Sequence, residues 1–351
     1  MARAGCVRRR SRRARDAAVE CNSVRHSLLP AVAVALLAFA APAHAVNDGV
    51  NVTLGTYPAF ATLLYTTSTG SFICGGWLAD TRHVVTAAHC VKDTKTWTMN
   101  NPSQFYIYLN KIPGVSPFRP EPSYQAQALF AHPSYDASDY GNDIAVVRLG
   151  VPVSGITPWA YAKSPAALAA TPECTLYTLL GHGQTCSGGC ISSDLRRAAV
   201  PKLVGNSCVR TPLDYDYREW PASIVGPDAC FGYAPPCGTV SASNPNSCAG
   251  DSGGPIFDST NTVVGLVSRG STKACTQAVK PGIYTAVGNA DNAAWLASVF
   301  SSANAPPPPA QPAKGPGVAP LSPRVVVVAS SAKELRVAWT LAVLIAALAC
   351  V

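Results

Sequence analysis

From residue 46 to about residue 286 the chain is a succession of short apolar runs, each bounded by Gly, Pro, Asn or Asp. Ala59–Tyr65, Phe105–Leu109, Ile144–Leu149 and Thr262–Val267 are examples. They are rich in β-branched or aromatic residues and about the length of a strand. Sustained helical periodicity first appears at Asp291–Phe300, where Ala294, Trp295, Leu296, Ala297 and Val299 can share one face of a short closing helix. The pattern predicts an all-β barrel or sandwich ending in a helix.

Charge removes one class of function. The chain carries a formal +8, but residues 1–45 hold eight Arg against Asp16 and Glu20, and residues 301–351 hold four basic residues against Glu334. The remaining 46–300 has fifteen basic and sixteen acidic residues, so this region is no polyanion binder and no nucleic-acid partner is expected. Of thirteen cysteines, ten fall between Cys74 and Cys275. No paired Cys-x-x-Cys spacing suggests a zinc site, so disulfides in an oxidising compartment are expected, with no metal and no cofactor.

The two ends read as targeting and tethering sequence. An Arg-rich region, the apolar run Leu28–Ala41 and Ala43-His44-Ala45 have the form of a secretory signal over residues 1–45. Residues 301–336 form a linker, rich in Pro and Ala up to residue 323, whose composition favours an extended spacer. Residues 337–351 form a hydrophobic tail. Fifteen residues are marginal for a membrane span but suit the removable tail of a lipid-anchor signal, with Ser330, Ser331 and Ala332 as small residues nearby. Only four residues separate them from the tail, a shorter spacer than such signals use, so a short membrane anchor is the alternative. The expected location is extracellular, free or tethered at a cell surface.

Three stretches carry chemistry. Cys248-Ala-Gly-Asp-Ser-Gly-Gly-Pro255 sets one serine among glycines, where the backbone can turn tightly and approach a substrate closely. A serine there can present its hydroxyl beside backbone N–H groups, the combination acyl transfer needs. Thr86-Ala-Ala-His-Cys90 follows the apolar pair Val84-Val85 and offers a base. Gly141-Asn-Asp-Ile-Ala145 puts an aspartate at the mouth of an apolar strand, where burial demands a hydrogen-bonding partner such as an imidazole. Alone, His89 reads equally as a turn histidine and Asp143 as a turn former; in the order His, Asp, Ser they reinforce one another.

With these motifs the chain resembles the trypsin/chymotrypsin-like serine proteases. Cys74-Gly75-Gly76, His132-Pro133 and Lys280-Pro-Gly-Ile-Tyr-Thr285 add to the match, which spans about 46–300. The resemblance implies two six-stranded antiparallel β-barrels, over about 46–160 and 161–286, closed by a helix near 290–300. It implies Ser252 as nucleophile, His89 as base, Asp143 as orienting acid, and the N–H groups of Gly250 and Ser252 as oxyanion hole. Ser268 matches a serine that lies against the aspartate. Implied disulfides are Cys74–Cys90, Cys208–Cys230 and Cys248–Cys275. Cys174, Cys186, Cys190 and Cys237 remain with three connectivities, a bridge from the Cys186/Cys190 loop to Cys237 being favoured.

By the same likeness, an activating N-terminus would pair with Asp251. Val46 takes that place, twelve residues before Pro58 and directly after Ala45, so signal removal alone could expose it. Asn47 and Asp48 depart from the family's Val-Gly there. Asn246 falls at the base of the specificity pocket, with Gly270 and Gly282 at its walls. An amide there compensates no buried cation, which favours a neutral, aromatic or large apolar residue before the scissile bond over Arg or Lys. Arg269 stands where the family has tryptophan. It either points to solvent or favours acidic residues upstream. His83 and His182 read as structural, and Asn51-Val-Thr53 as a glycosylation sequon whose meaning depends on the host. Protein or peptide substrates and protein inhibitors are the expected partners; the rival is a catalytically idle homologue that binds through the same cleft.

Overall fold

The computed structural model describes residue 46 and residues 49–302, except 69, 94–95, 97, 110–123, 136–140, 185–190, 193, 206–227, 240, 242–243 and 271–280. The signal, linker beyond 302 and tail, Asn47 and Asp48, and Cys186, Cys190, Cys208 and Cys275 lie outside the described residues. Among the described residues, no helix is long and apolar enough to cross a membrane.

The first barrel is built from β2 (Phe60–Thr66), β3 (Ser71–Leu78), β4 (His83–Thr86), β5 (Phe105–Leu109), β6 (Tyr124–Ala131) and β7 (Ala145–Leu149). They pair antiparallel in the order β2-β3-β4-β7-β6-β5, and β5 closes back on β2 with Leu63 opposite Ile107. On β5 the period of two is plain: Phe105, Ile107 and Leu109 are buried, and Tyr106 and Tyr108 between them are only partly so. With Leu63, Leu78, Val84, Val147 and Leu149 they fill the interior, each contributing about 1.5–3 kcal/mol on full burial.

The second barrel uses β8 (Leu176–Gly181), β9 (Arg196–Leu203), β10 (Asp228–Phe231), β11 (Pro255–Phe257), β12 (Val263–Arg269) and β13 (Gly282–Ala286). Its order is β9-β10-β13-β12-β11-β8, and β8 pairs again with β9 to close six antiparallel strands. The short β1 (Val50–Asn51) adds to β9. Tyr177, Leu179, Val200, Phe231, Ile256, Val264 and Tyr284 fill this interior, and Val46 is buried among them. A third apolar cluster joins the barrels: Phe60, Trp77, Val85 and Val146 pack against Leu180, Phe257, Val263 and Leu266.

Among the described residues three α-helices accompany the strands: α1 (Ala88–Val91), α2 (Ala166–Ala169) and α3 (Ala290–Ser302). The closing helix forms where its periodicity predicts, but its buried positions are Asn292, Leu296 and Val299, with Trp295 and Phe300 partly covered. Ala294 and Ala297 face solvent. An asparagine takes the place of an apolar residue at the start of the buried stripe.

Candidate active site

The registers of the first barrel explain why a histidine and an aspartate 54 residues apart meet. Thr86, the last residue of β4, pairs with Ala145, the first of β7. The segment leaving β4 and the segment entering β7 therefore emerge side by side. His89 sits on the single turn α1 just after Thr86, with Ala87 and Ala88 fully buried so that the turn lies flat on the barrel. Asp143 precedes β7 and is 0% exposed.

The Asp143 carboxylate is occupied on both oxygens. Its Oδ1 accepts from the backbone N–H of His89 at 2.9 Å, and its Oδ2 lies 2.7 Å from His89 Nδ1. Ser268 Oγ donates to the same Oδ2 at 2.7 Å, and Thr285 Oγ1 donates to the Asp143 carbonyl at 3.0 Å. A carboxylate can only accept, so Nδ1 carries the ring proton and the neutral imidazole keeps its lone pair on Nε2. Burial opposes charging the imidazole, yet the charge and hydrogen bond of Asp143 together outweigh it and raise the His89 pKa above 6.5.

The Ser252 loop is docked onto this pair by backbone. Gly75 N–H on β3 donates to the Ser252 carbonyl at 2.7 Å, and Cys90 Sγ lies 3.8 Å from the same oxygen. Gly253 has φ +78°, and a side chain on it would meet Thr86 Oγ1 and, at 2.8 Å, Ala87 N, two residues before His89. Only glycine allows that approach. No hydrogen bond joins the Ser252 hydroxyl to the imidazole among the described residues. Along the loop, the N–H groups of Asp251, Gly253 and Gly254 donate to carbonyls at 2.9, 2.7 and 2.8 Å. Those of Gly250 and Ser252 donate to no acceptor among the described residues.

Asp251 is fully buried in a different setting. Gly183 N–H donates to its Oδ1 at 2.6 Å and Cys248 N–H to its Oδ2 at 2.8 Å. A Cβ on Gly183 would fall within 2.7 Å of the carboxylate. Burial pushes its pKa up to about 7, against the lowering effect of those two hydrogen bonds. Val46, also fully buried, packs with Leu179, two residues before Gly181 on β8; a Cβ on Gly181 would likewise collide with Asp251.

The residues expected to form the specificity pocket lie in part together. A Cβ on Gly282 would come within 2.9 Å of Tyr284 Cε2, 3.2 Å of Ser247 Oγ and 3.3 Å of Asn246 Oδ1. One on Gly270 would meet nothing within 4 Å. Asn246 is buried, and its Oδ1 accepts from Ser247 N–H at 2.8 Å. Gly282 thus lies against Asn246, Ser247 and Tyr284. The Tyr284 pKa is raised by its burial.

Arg269 departs from expectation. Its side chain is 10% exposed rather than turned to solvent, and its Nη2 lies 2.7 Å from Asp228 Oδ2. It reaches across β13, since Arg269 pairs with Ile283 and Asp228 with Thr285 on that strand. The charge that would favour acidic substrate residues is already compensated.

Two disulfides are formed between described residues, Cys74–Cys90 and Cys174–Cys237. The first is the expected staple beside His89. The second corrects the favoured bridge from the Cys186/Cys190 loop to Cys237: Cys174 precedes β8 and Cys237 follows β10, and both flank Lys202 on β9, whose carbonyl accepts from Cys174 N–H at 2.9 Å. Cys230 and Cys248 are also disulfide-bonded, with partners outside the described residues. The sulfurs of Cys74 and Cys90 and a His89 nitrogen lie within 4.8 Å of one another. Oxidation of both sulfurs leaves no thiolate pair to hold a metal there.

His83 and His182 are structural, as expected. His83 Nδ1 is 2.6 Å from Asp80 Oδ2, and His182 packs edge-on against Phe60, with burial driving its pKa down to about 4. Asp228 and Asn292 are site neighbours without a sequence signal, and Thr285 ends a matching motif that gave it no role; each acts on a partner more than forty residues away.

A two-barrel fold with a histidine–aspartate pair and a glycine-flanked serine between the barrels defines a class, the chymotrypsin-fold serine hydrolases. Comparison with known proteins narrows it. The family model described as Trypsin matches residues 46–295. A trypsin of Saccharopolyspora erythraea is 31% identical over 227 residues, covering 65% of this chain and 87% of the relative. A trypsin of Phaedon cochleariae is 32% identical over 216 residues (61% and 74%), and one of Sus scrofa 29% over 239 residues (67% and 88%). The chain belongs to the trypsin family of serine endopeptidases.

Proposed function

We propose that this endopeptidase cleaves proteins or peptides through an acyl-enzyme on Ser252, with His89 as base and Asp143 as its orienting acid. The observation that carries the reading is the Asp143 carboxylate, which holds both the backbone and the ring of His89 at 2.9 and 2.7 Å and thereby sets its tautomer. Ser252 Oγ attacks the scissile carbonyl as its proton passes to Nε2; the same proton then goes to the leaving amine, and water repeats the sequence to release the acid. The N–H groups of Gly250 and Ser252 receive the oxyanion, where losing one donor typically costs about 2.7–4 kcal/mol in the barrier. Labelling with a serine-directed phosphonate, compared with Ser252→Ala, tests this. An unlabelled mature protein would instead favour a binding homologue.

For the residue before the scissile bond the reading is a neutral side chain, aromatic or large apolar, because Asn246 supplies no carboxylate to a buried cation. Cleavage of Arg substrates about tenfold better than Phe or Leu substrates contradicts it.

Activation follows from position. Residues 1–45 act as a secretory signal whose removal frees the Val46 α-amine to pair with Asp251, so the enzyme leaves the cell already active. N-terminal sequencing of secreted protein should begin at Val46; a start upstream ends the idea. Residues 301–351 serve as a spacer and surface tether, and release of the protein into the medium on deleting 337–351 is the expected result.

A further inference from the structure

Asn292 is the one polar residue in the buried stripe of α3, fully buried alongside Leu296 and Val299. An amide in such a place is unfavourable unless it is fully engaged. It is engaged at both ends: Nδ2 donates to the Ala286 carbonyl at the end of β13 at 2.9 Å, and Oδ1 accepts from Asn142 Nδ2 at 3.0 Å. Asn142 Nδ2 also lies 3.2 Å from Asp291 Oδ2.

Asn142 immediately precedes Asp143 and has φ +52°, a left-handed conformation that costs an ordinary residue energy. Its carbonyl accepts from Ile144 N–H at 2.7 Å, so the peptide turns tightly around Asp143. From the far side, His132 N–H donates to the Ile144 carbonyl at 3.0 Å, and the His132 ring packs on Trp295 of α3 at 5.1 Å. The Asp143 loop belongs to the first barrel, yet the first turn of α3 and Thr285 of β13 grip it on either side of the aspartate. The titratable groups facing this contact are Asp291 and, 3.7 Å from it, His132. Burial lowers the His132 pKa despite Asp291.

We propose that Asn292 is a positioning residue for catalysis: acting through Asn142, it holds the Asp143 carboxylate in the orientation that serves His89. The proposal rests on the triad reading above. It gives α3 a role beyond covering the interbarrel core, since loosening its first turn releases the aspartate while leaving Ser252, Asn246 and Arg269 in place.

The test compares Asn292→Ala, Asn142→Gly and, as a control, Ser298→Ala, whose hydroxyl bonds only within α3 to the Trp295 carbonyl at 2.7 Å. Glycine at 142 keeps the left-handed turn and removes only the amide, so it serves where Asn292→Ala fails to fold. Expected for both latch variants is a fall in kcat of about 10- to 100-fold with little change in KM, the size of a small misplacement of a catalytic group. The acid limb of kcat/KM should also move to lower pH, because His89 is raised by Asp143. Ser298→Ala should match the wild type in both. Latch variants that lose thermal stability yet keep the wild-type kcat and acid limb overturn the proposal. Failure of the wild type itself to label with the phosphonate overturns the triad reading instead.

Discussion

Two aspartates, both fully buried and both beside the cleft, are treated in opposite ways. Asp143 accepts from a backbone N–H, an imidazole and a hydroxyl, with Thr285 holding its carbonyl. Asp251 accepts from two backbone N–H groups alone, and no cationic side chain pairs with it among the described residues. At Asp251 burial outweighs those two hydrogen bonds, and the pKa climbs to about 7. Asp143 thus has its side-chain partners in place, whereas Asp251 has no cationic partner among the described residues. On the activation proposed above, a freed Val46 ammonium would supply that charge.

The comparison breaks most visibly at the base. Asp143→Asn should lower kcat by about 10⁴-fold while leaving the fold intact, because an amide donor opposite Nδ1 selects the wrong tautomer. Steady-state kinetics checks this; a loss under tenfold would mean that His89 is oriented otherwise.

At Asp251 the expected effect is on stability, of order a few kcal/mol for a shift of this size. The folded carboxyl has its pKa raised above the ordinary value of about 3.9, so its contribution is fully present below about pH 4 and is lost as pH rises through about 7. Thermal midpoints of unprocessed Ser252→Ala protein should therefore fall between pH 5 and pH 8. Asp251→Asn should flatten the slope, and so should processing to Val46. His89 titrates in the same direction, which makes the Asp251→Asn difference, not the raw slope, the decisive quantity.

The smallest effect concerns specificity. With Arg269 compensated by Asp228 at 2.7 Å, the wild type should favour acidic upstream residues by no more than about twofold. Asp228→Asn should raise that preference to about tenfold, as expected for one uncovered charge. Peptide-library profiling reads both, and a strong acidic preference in the wild type would refute the compensation.

What was legible in the sequence follows the range of the forces involved. Strands and the closing helix follow from local periodicity, and His89, Asp143 and Ser252 lie in motifs whose local backbone demands are severe. Asn292 and Asp228 carry no such mark, and the motif that Thr285 ends gave it no role, because their partners are set by barrel register and interbarrel packing. Arg269 illustrates the limit: its identity is a visible departure, but the carboxylate that compensates it sits forty-one residues earlier on another strand. The Cys174–Cys237 bridge could not be chosen among three connectivities until β8, β9 and β10 were placed. Ala294 and Ala297 fit the apolar face on hydrophobicity, but the helix rotates to bury Asn292 instead, since that amide has two partners to satisfy.

The most direct test of the account is the rate of phosphonate labelling at Ser252 in protein that begins at Val46, against protein retaining several residues upstream. A buried charge left without its partner typically costs about 3–5 kcal/mol, so labelling should be about 10²- to 10⁴-fold faster from the Val46 terminus. Equal rates would contradict the claim that Asp251 awaits that terminus.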